Sequence, residues 1–246
     1  MKRIRLDIAY NGKEFSGFQI QPNKRTIQEE IEKVLEFLFK EKIRIYASGR
    51  TDAGVSALCQ VAHFDTDKEV NESKLLDSLN ALLPKDISIN KLSLVDESFD
   101  ARFSAKKKTY RYLFYVSKHT HSIYDEFATR INSYANVELM KEACKYFIGT
   151  FDFKTFVSKK SGKTNFVRTI FDARIVEFEN GLYAFEITGN GFLYNMVRII
   201  FGTLVQVGCK KIKPEEITNI IMSQDRSKGG KTMPSKALML KNVEYD

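Results

Sequence analysis

Residues 192–207, FLYNMVRIIFGTLVQV, read as a helix that is apolar on almost every face and carries one charge, Arg198. The run is shorter than the roughly 18 to 20 apolar residues needed to cross a bilayer. The rest of the chain must therefore cover it, which requires a sizeable layered core. No other uninterrupted apolar stretch is longer. The opening residues, MKRIRLDIAYNG, lack the apolar core and small-residue cleavage site of an export signal. The expectation is a chain without a membrane segment, working in the cytoplasm.

What surrounds that helix follows from periodicity. KRIRLDIAY alternates Ile4, Leu6, Ile8 and Tyr10 against polar or small residues, the period of a half-buried strand. TIQEEIEKVLEFLFKE places Ile27, Ile31, Val34, Leu35 and Leu38 at helical spacing, and Thr26 with Glu29 has the form of a capping box. IRIYAS and CQVAHFDT read as strands, ESKLLDSLNALL as a helix stopped by Pro84, and ISINKLSLV as a further strand. The second half repeats this inventory without sequence identity. TYRYLFYVS is a strand and VELMKEACKYFIG a helix ending at Gly149. Asn180-Gly181 signals a hairpin between RIVEFE and LYAFEIT, Pro214 starts a short helix, and ALMLKNVEY closes the chain as a strand. Strands beside long buried helices in two similar halves imply an α+β chain with two sheet-and-helix units, 1–105 and 106–246.

Among 246 residues, 39 Lys and Arg outnumber 31 Asp and Glu, a formal net charge of +8 that favours a polyanionic partner. Three cysteines (Cys59, Cys144, Cys209) and three histidines (His63, His119, His121) form neither a disulfide framework nor a paired metal-ligand spacing. No dinucleotide-binding glycine loop or P-loop occurs. No metal and no cofactor are expected.

Two charged residues stand in apolar company. Arg198 must either reach solvent along its stem or lie buried against a carboxylate. Asp52, in SGRTDAGV, poses the complementary problem, because it sits beside glycine next to apolar strands. One ion pair would satisfy both, and would keep Asp52 ionised in a dry pocket. An aspartate beside glycine is also ordinary turn chemistry, and Tyr110, in the alternating series Tyr110, Tyr112 and Phe114, could equally be a core tyrosine.

SGRTDAGVSALCQVAHF resembles the catalytic segment of the tRNA pseudouridine synthase A family. AYNGKEFSGFQIQPNKRTIQEEIEKVL, FDARFSAKKKTYRYLFY, GTFDFKTF and GNGFLYNMVRIIFGTLVQVG are similar to its other segments, in the same order, from one end of the chain to the other. The resemblance implies two ferredoxin-like or RRM-like halves whose antiparallel sheets meet at a basic active-site cleft. It implies isomerisation of uridine to pseudouridine in the anticodon stem-loop of tRNA, expected at positions 38, 39 and 40, by a homodimer. It makes Asp52 the catalytic aspartate and Arg50 the arginine that helps displace the target base. Tyr110 becomes the tyrosine that stacks on the flipped uracil, and Arg198 the partner of the aspartate.

The chemistry agrees with the residue content. Breaking the N1–C1′ bond and joining C5 to C1′ gains and loses no atoms, so a carboxylate able to act on sugar or base, a flat face for an extruded base and a water-poor pocket suffice. Lys106, Lys107 and Lys108 are expected to contact RNA. Further basic groups are Lys159, Lys160 and Lys163; Lys210, Lys211 and Lys213; and Arg226, Lys228 and Lys231. Such runs are also common as solvated faces. Phe18, Ile20, Ser56, Phe151 and Ala237 depart from the family's usual residues. Those at Ile20, Ser56 and Phe151 keep open the same reaction on another RNA, such as ribosomal RNA. A binding module without chemistry is a further alternative.

Overall fold

A computed structural model describes residues 1–158 and 164–245. The chain divides into two compact units, one formed by Met1–Lys106 with the residues from Met239 onward, the other by Lys107–Leu238.

In the first unit, β1 (Lys2–Tyr10) runs antiparallel to both β3 (Ser56–Thr66) and β4 (Ile87–Val95). The register follows the alternation of the sequence. Ile4, Leu6 and Ile8 are fully buried, and across β3 Ile4 pairs with Phe64 and Leu6 with Ala62. The short β2 (Tyr46–Ala47) pairs antiparallel with β3. Residues 239 and 240 of β10 (Leu238–Glu244) run parallel to the start of β3. Helices α1 (Ile27–Phe39) and α2 (Glu72–Leu82) bury Ile27, Ile31 and Leu35, and Leu75 and Leu79, respectively. Phe39 meets Phe64 edge-on, with ring centroids 5.8 Å apart.

Two local expectations fail here. The strand expected over 43–48 shrinks to two residues, because the Ile45 N–H donates to Glu32 Oε1 at 2.9 Å instead of to a neighbouring strand. The capping box does not form. Thr26 occupies the N-cap position, but its side chain caps nothing, and its hydroxyl is fully buried with no partner among the described residues. Glu29 instead pairs with Lys33 one turn on, at 2.9 Å.

In the second unit, β5 (Lys107–Val116), β9 (Leu182–Gly189), β8 (Val167–Glu177) and β7 (Gly149–Asp152) form an antiparallel series in that order, with β6 (Thr129–Ile131) parallel to β5. Asn180 and Gly181 both adopt positive φ, 60° and 72°, in the turn between β8 and β9, as the hairpin signal requires. Helices α3 (Val137–Cys144), α4 (Met196–Gly208) and α5 (Glu216–Met222) complete the unit. Tyr112, Phe114 and Phe185 all pack on Phe201 of α4. α4 begins at Met196, four residues later than its hydrophobicity suggests, because Asn195 turns left-handed at φ 62° and breaks the helix there. α3 ends at Cys144 and passes into a tighter turn, Lys145–Phe147, before Gly149 at φ 132°.

The architecture is therefore α+β. Among the described residues no helix is long and apolar enough to cross a membrane.

Candidate active-site residues

The SGRTDAG segment is the loop between β2 and β3, and it is clamped from several directions. At its start, the Ser48 hydroxyl donates to Gln60 Oε1 at 2.6 Å, and Gln60 Nε2 donates to the Gly49 carbonyl at 2.9 Å. In its middle, the Thr51 hydroxyl and the Tyr10 phenol share a hydrogen bond of 2.7 Å, and the Thr51 carbonyl accepts the Phe18 N–H at 3.1 Å. At its end, the Val55 N–H donates to the Asp52 carbonyl at 3.1 Å, closing a turn through Gly54 at φ 77°. Gln60, Tyr10 and Thr51 are buried. Burial pushes the Tyr10 phenol up to about 12, against the pull of its hydrogen bond to Thr51, so at neutral pH it stays uncharged under the loop.

Two glycines let the backbone come this close. A Cβ on Gly12 would overlap the Val55 carbonyl. Gly17 lies at φ 104°, where an added Cβ would stand 2.8 Å from the Thr51 carbonyl oxygen. The outcome is a braced loop on which Asp52 is half-buried and Arg50 exposed. Ser56, one of the departures from the family's usual residues, belongs to the same brace, since its hydroxyl accepts the Gly12 N–H at 3.0 Å. Ile20 is exposed, and Phe151 packs edge-on against Phe153 with centroids 6.0 Å apart.

In the second unit, Tyr110 lies on β5 opposite Ile187 of β9, half-buried, with its ring edge-on to Phe192 at 5.1 Å. Two residues further along, Tyr112 is fully buried. Its hydroxyl bonds Thr129 Oγ1 at 2.8 Å and donates to the Pro234 carbonyl at 2.9 Å. The two tyrosines thus separate into a core residue, Tyr112, and a half-exposed one, Tyr110, at the end of the row.

Arg198 neither snorkels freely nor is fully buried. From the first turn of α4 its Nη1 donates to Asn195 Oδ1 at 2.7 Å and its Nε to the Met233 carbonyl at 2.6 Å, which fixes the plane of the guanidinium. Its charge acts on the Tyr112 phenol, partly opposing the upward push of burial. Periodicity does not reveal the Met233 contact, which joins residues 35 positions apart. Asn195, three residues before Arg198, could have been found from helical spacing. The contributions of Tyr10, Gln60 and Ser56 to the loop had no signal in the sequence beyond their polarity in apolar strands.

Of the expected RNA-contacting lysines, Lys106 and Lys107 are exposed and Lys108 half-exposed. The Lys107 ammonium lies 5.5 Å over the Phe171 ring. Lys159, Lys160 and Lys163 lie outside the described residues. Among the described residues no cluster of His, Cys, Asp and Glu has the form of a metal site.

A sequence profile described as tRNA pseudouridine synthase matches residues 8–104 and 143–246. The chain is 46% identical over 246 residues to tRNA pseudouridine synthase A of Bacillus subtilis (strain 168), covering 99% of each chain. It is 44% identical over 255 residues to the protein of the same name from Anoxybacillus flavithermus and 44% over 245 residues to that from Caldicellulosiruptor bescii, covering 100% of each chain in both cases. Among solved structures, a chain of a Cbf5-Nop10-Gar1 complex aligns at a TM-score of 0.34 and 12% identity over 82% of this chain and 54% of that one, a likeness that bears on neither fold nor function.

Proposed function

The chain belongs to the tRNA pseudouridine synthase family and is an isomerase of uridine in tRNA, and we propose that it acts in the anticodon stem-loop, at positions 38, 39 and 40, with Asp52 as its catalytic carboxylate. The observation that carries this reading is the braced loop, which presents a half-buried aspartate beside an exposed arginine. A turn aspartate that only capped its own loop would not require two glycine-backed close approaches and a buried Tyr–Thr bond beneath it.

In the proposed reaction the N1–C1′ bond breaks, the uracil turns, and C5 joins C1′. C5 gives up its proton and N1 ends protonated, so the atoms balance without a second substrate. Whether the carboxylate attacks C1′ or C6, it must be ionised to do so. We assign that task to Arg198, whose guanidinium Asn195 and the Met233 carbonyl hold in a fixed plane. Extruding the base costs a few kcal/mol, to be returned by stacking. Tyr110 is the assigned platform, half-buried and backed by the edge of Phe192. Arg50, exposed on the braced loop, is assigned to fill the place the base vacates.

On this reading the chain works as two ferredoxin-like halves, the first carrying the aspartate and the second the tyrosine and arginine. Lys106, Lys107 and Lys108 contact phosphates, and two copies of the chain serve one tRNA. The relatives, each a tRNA pseudouridine synthase A, favour tRNA over another RNA.

The test is site-resolved pseudouridine mapping on total RNA incubated with the purified protein. Conversion at positions 38 to 40 of tRNA is expected, and conversion confined to ribosomal RNA would overturn the substrate. Asp52→Asn should reduce activity to background with RNA affinity little changed. Substantial remaining isomerisation would mean that another carboxylate acts.

A further inference from the structure

Among the described residues, Phe103 is the most exposed large apolar side chain, at 79%. It is not on a loose segment. Asp100 Oδ1 accepts the N–H groups of both Arg102, at 2.7 Å, and Phe103, at 2.8 Å. Ser104 closes the turn by donating its N–H to the Asp100 carbonyl and accepting the Asp100 N–H on its hydroxyl, each at 3.0 Å.

The turn is also anchored from beneath. Ala101 is fully buried, its N–H donates to His63 Nδ1 at 3.1 Å, and its carbonyl accepts the Tyr245 hydroxyl at 2.8 Å. Six hydrogen bonds therefore hold the backbone of a turn whose tip offers water an aromatic ring, with the Arg102 guanidinium 5.3 Å from that ring's centroid. The turn thus presents an aromatic face and a guanidinium together, from a backbone held firmly in place.

We infer that Phe103 is a stacking platform for an unpaired nucleobase of the RNA substrate, with Arg102 meeting the neighbouring phosphate. The inference rests on the RNA substrate proposed above and adds a contact to it. A flat apolar face beside a delocalised cation suits base and backbone together, because every base has a π-face and each nucleotide carries one negative charge. The exposed Lys106 follows three residues later in the same unit, and the chain's net charge of +8 has the matching sign.

The chain contains no tryptophan, so Phe103→Trp installs a single indole reporter at this position. Titrating it with an unmodified tRNA transcript should quench its fluorescence, saturating at the concentration at which wild-type binding saturates. Phe103→Ala should weaken affinity for the transcript about tenfold or more, the scale of one base–aromatic stack, while turnover at saturating RNA stays near wild type. Phe103→Tyr should restore affinity.

An unquenched indole, together with Phe103→Ala binding within twofold of wild type, overturns the inference. A change in sedimentation of Phe103→Ala with RNA affinity intact also overturns it, and assigns the ring to a contact between copies. Wild-type pseudouridine formation is measured on the same transcript. If it proceeds while the Phe103 results fail, the stacking platform alone is lost. If wild type neither binds nor modifies the transcript, the functional reading fails first.

Discussion

At the scale of single residues, the loop carrying Asp52 is braced by the buried phenol of Tyr10. Tyr10→Phe keeps the ring's packing and removes the bond to Thr51, leaving the hydroxyl of that buried residue without this partner. A buried polar group stripped of its hydrogen bond costs about 1–3 kcal/mol. Urea unfolding should show a loss of that size. The rate at saturating tRNA should fall as well, because the bond that braces the loop lies next to Asp52, the proposed catalytic carboxylate. Unchanged turnover would mean that the glycine contacts alone position the loop. His63 gives a second single-residue effect, on pH. It is buried, stacks on Tyr46 at 5.4 Å, and accepts the Ala101 N–H. Burial, assisted by the Arg3 charge, lowers its pKa below the ordinary histidine value. The folded state therefore binds this proton less readily than the unfolded chain. Its stabilising contribution is complete above the unfolded value near 6.5 and declines as pH falls below it. Asp65, lowered chiefly by its hydrogen bond to Arg3, acts in the same sense only at more acid pH, in the carboxylate range. Thermal melts between pH 7 and 5 should show destabilisation on acidification that His63→Gln reduces.

At the scale of elements, α4 carries both core residues and Arg198, the proposed partner of the aspartate. Its backbone at Gly202 touches the segment that ends in Met233. A Cβ on Gly202 would overlap the Lys231 carbonyl, and one on Gly230 would overlap Gly202 in turn. The same segment supplies the carbonyl that receives Arg198 Nε. Gly202→Ala should push helix and segment apart, costing about 1–3 kcal/mol by overpacking, and should lower kcat by more than the lost stability explains, because it moves the acceptor of Arg198. Parallel melting and turnover measurements check this, and a variant with a reduced Tm but wild-type kcat would disconnect the two. This contact was not legible in the sequence. Apolar periodicity announced α4, α1 and the alternation of β1, because burial of one face or of all faces leaves a regular mark. It could not announce where α4 starts, since Asn195 enters the left-handed region by a local backbone choice that hydrophobicity does not record. At Thr26 the motif pointed to a cap, whereas packing buried the hydroxyl and a better partner, Lys33, took Glu29. Family resemblance singled out Asp52, Tyr110 and Arg198 as candidates, but the contacts of Tyr10, Gln60, Ser56 and Met233 around the Asp52 loop and Arg198 left no mark in the sequence, because each joins residues distant along the chain.

At the scale of the whole molecule, the excess of 39 basic over 31 acidic side chains predicts how RNA binding responds to salt. Each phosphate neutralised on binding releases condensed counterions, so log K should fall linearly with log salt, with a slope of about 0.7 to 0.9 per phosphate contacted. Lys106 is exposed and lies beside the turn that carries Phe103. Lys106→Gln should therefore weaken binding at low salt and flatten the slope by about that single increment, leaving turnover at saturating tRNA unchanged. Phe103→Ala should behave in the opposite way, shifting the whole line to lower affinity without changing its slope, because stacking on a neutral ring releases no ions. Binding isotherms for both variants across a salt series separate the two kinds of contact. A Phe103→Ala line of altered slope would show that the ring acts by positioning Arg102. An unaltered slope in Lys106→Gln would mean that this lysine faces water in the complex and that the charge excess is concentrated elsewhere on the chain.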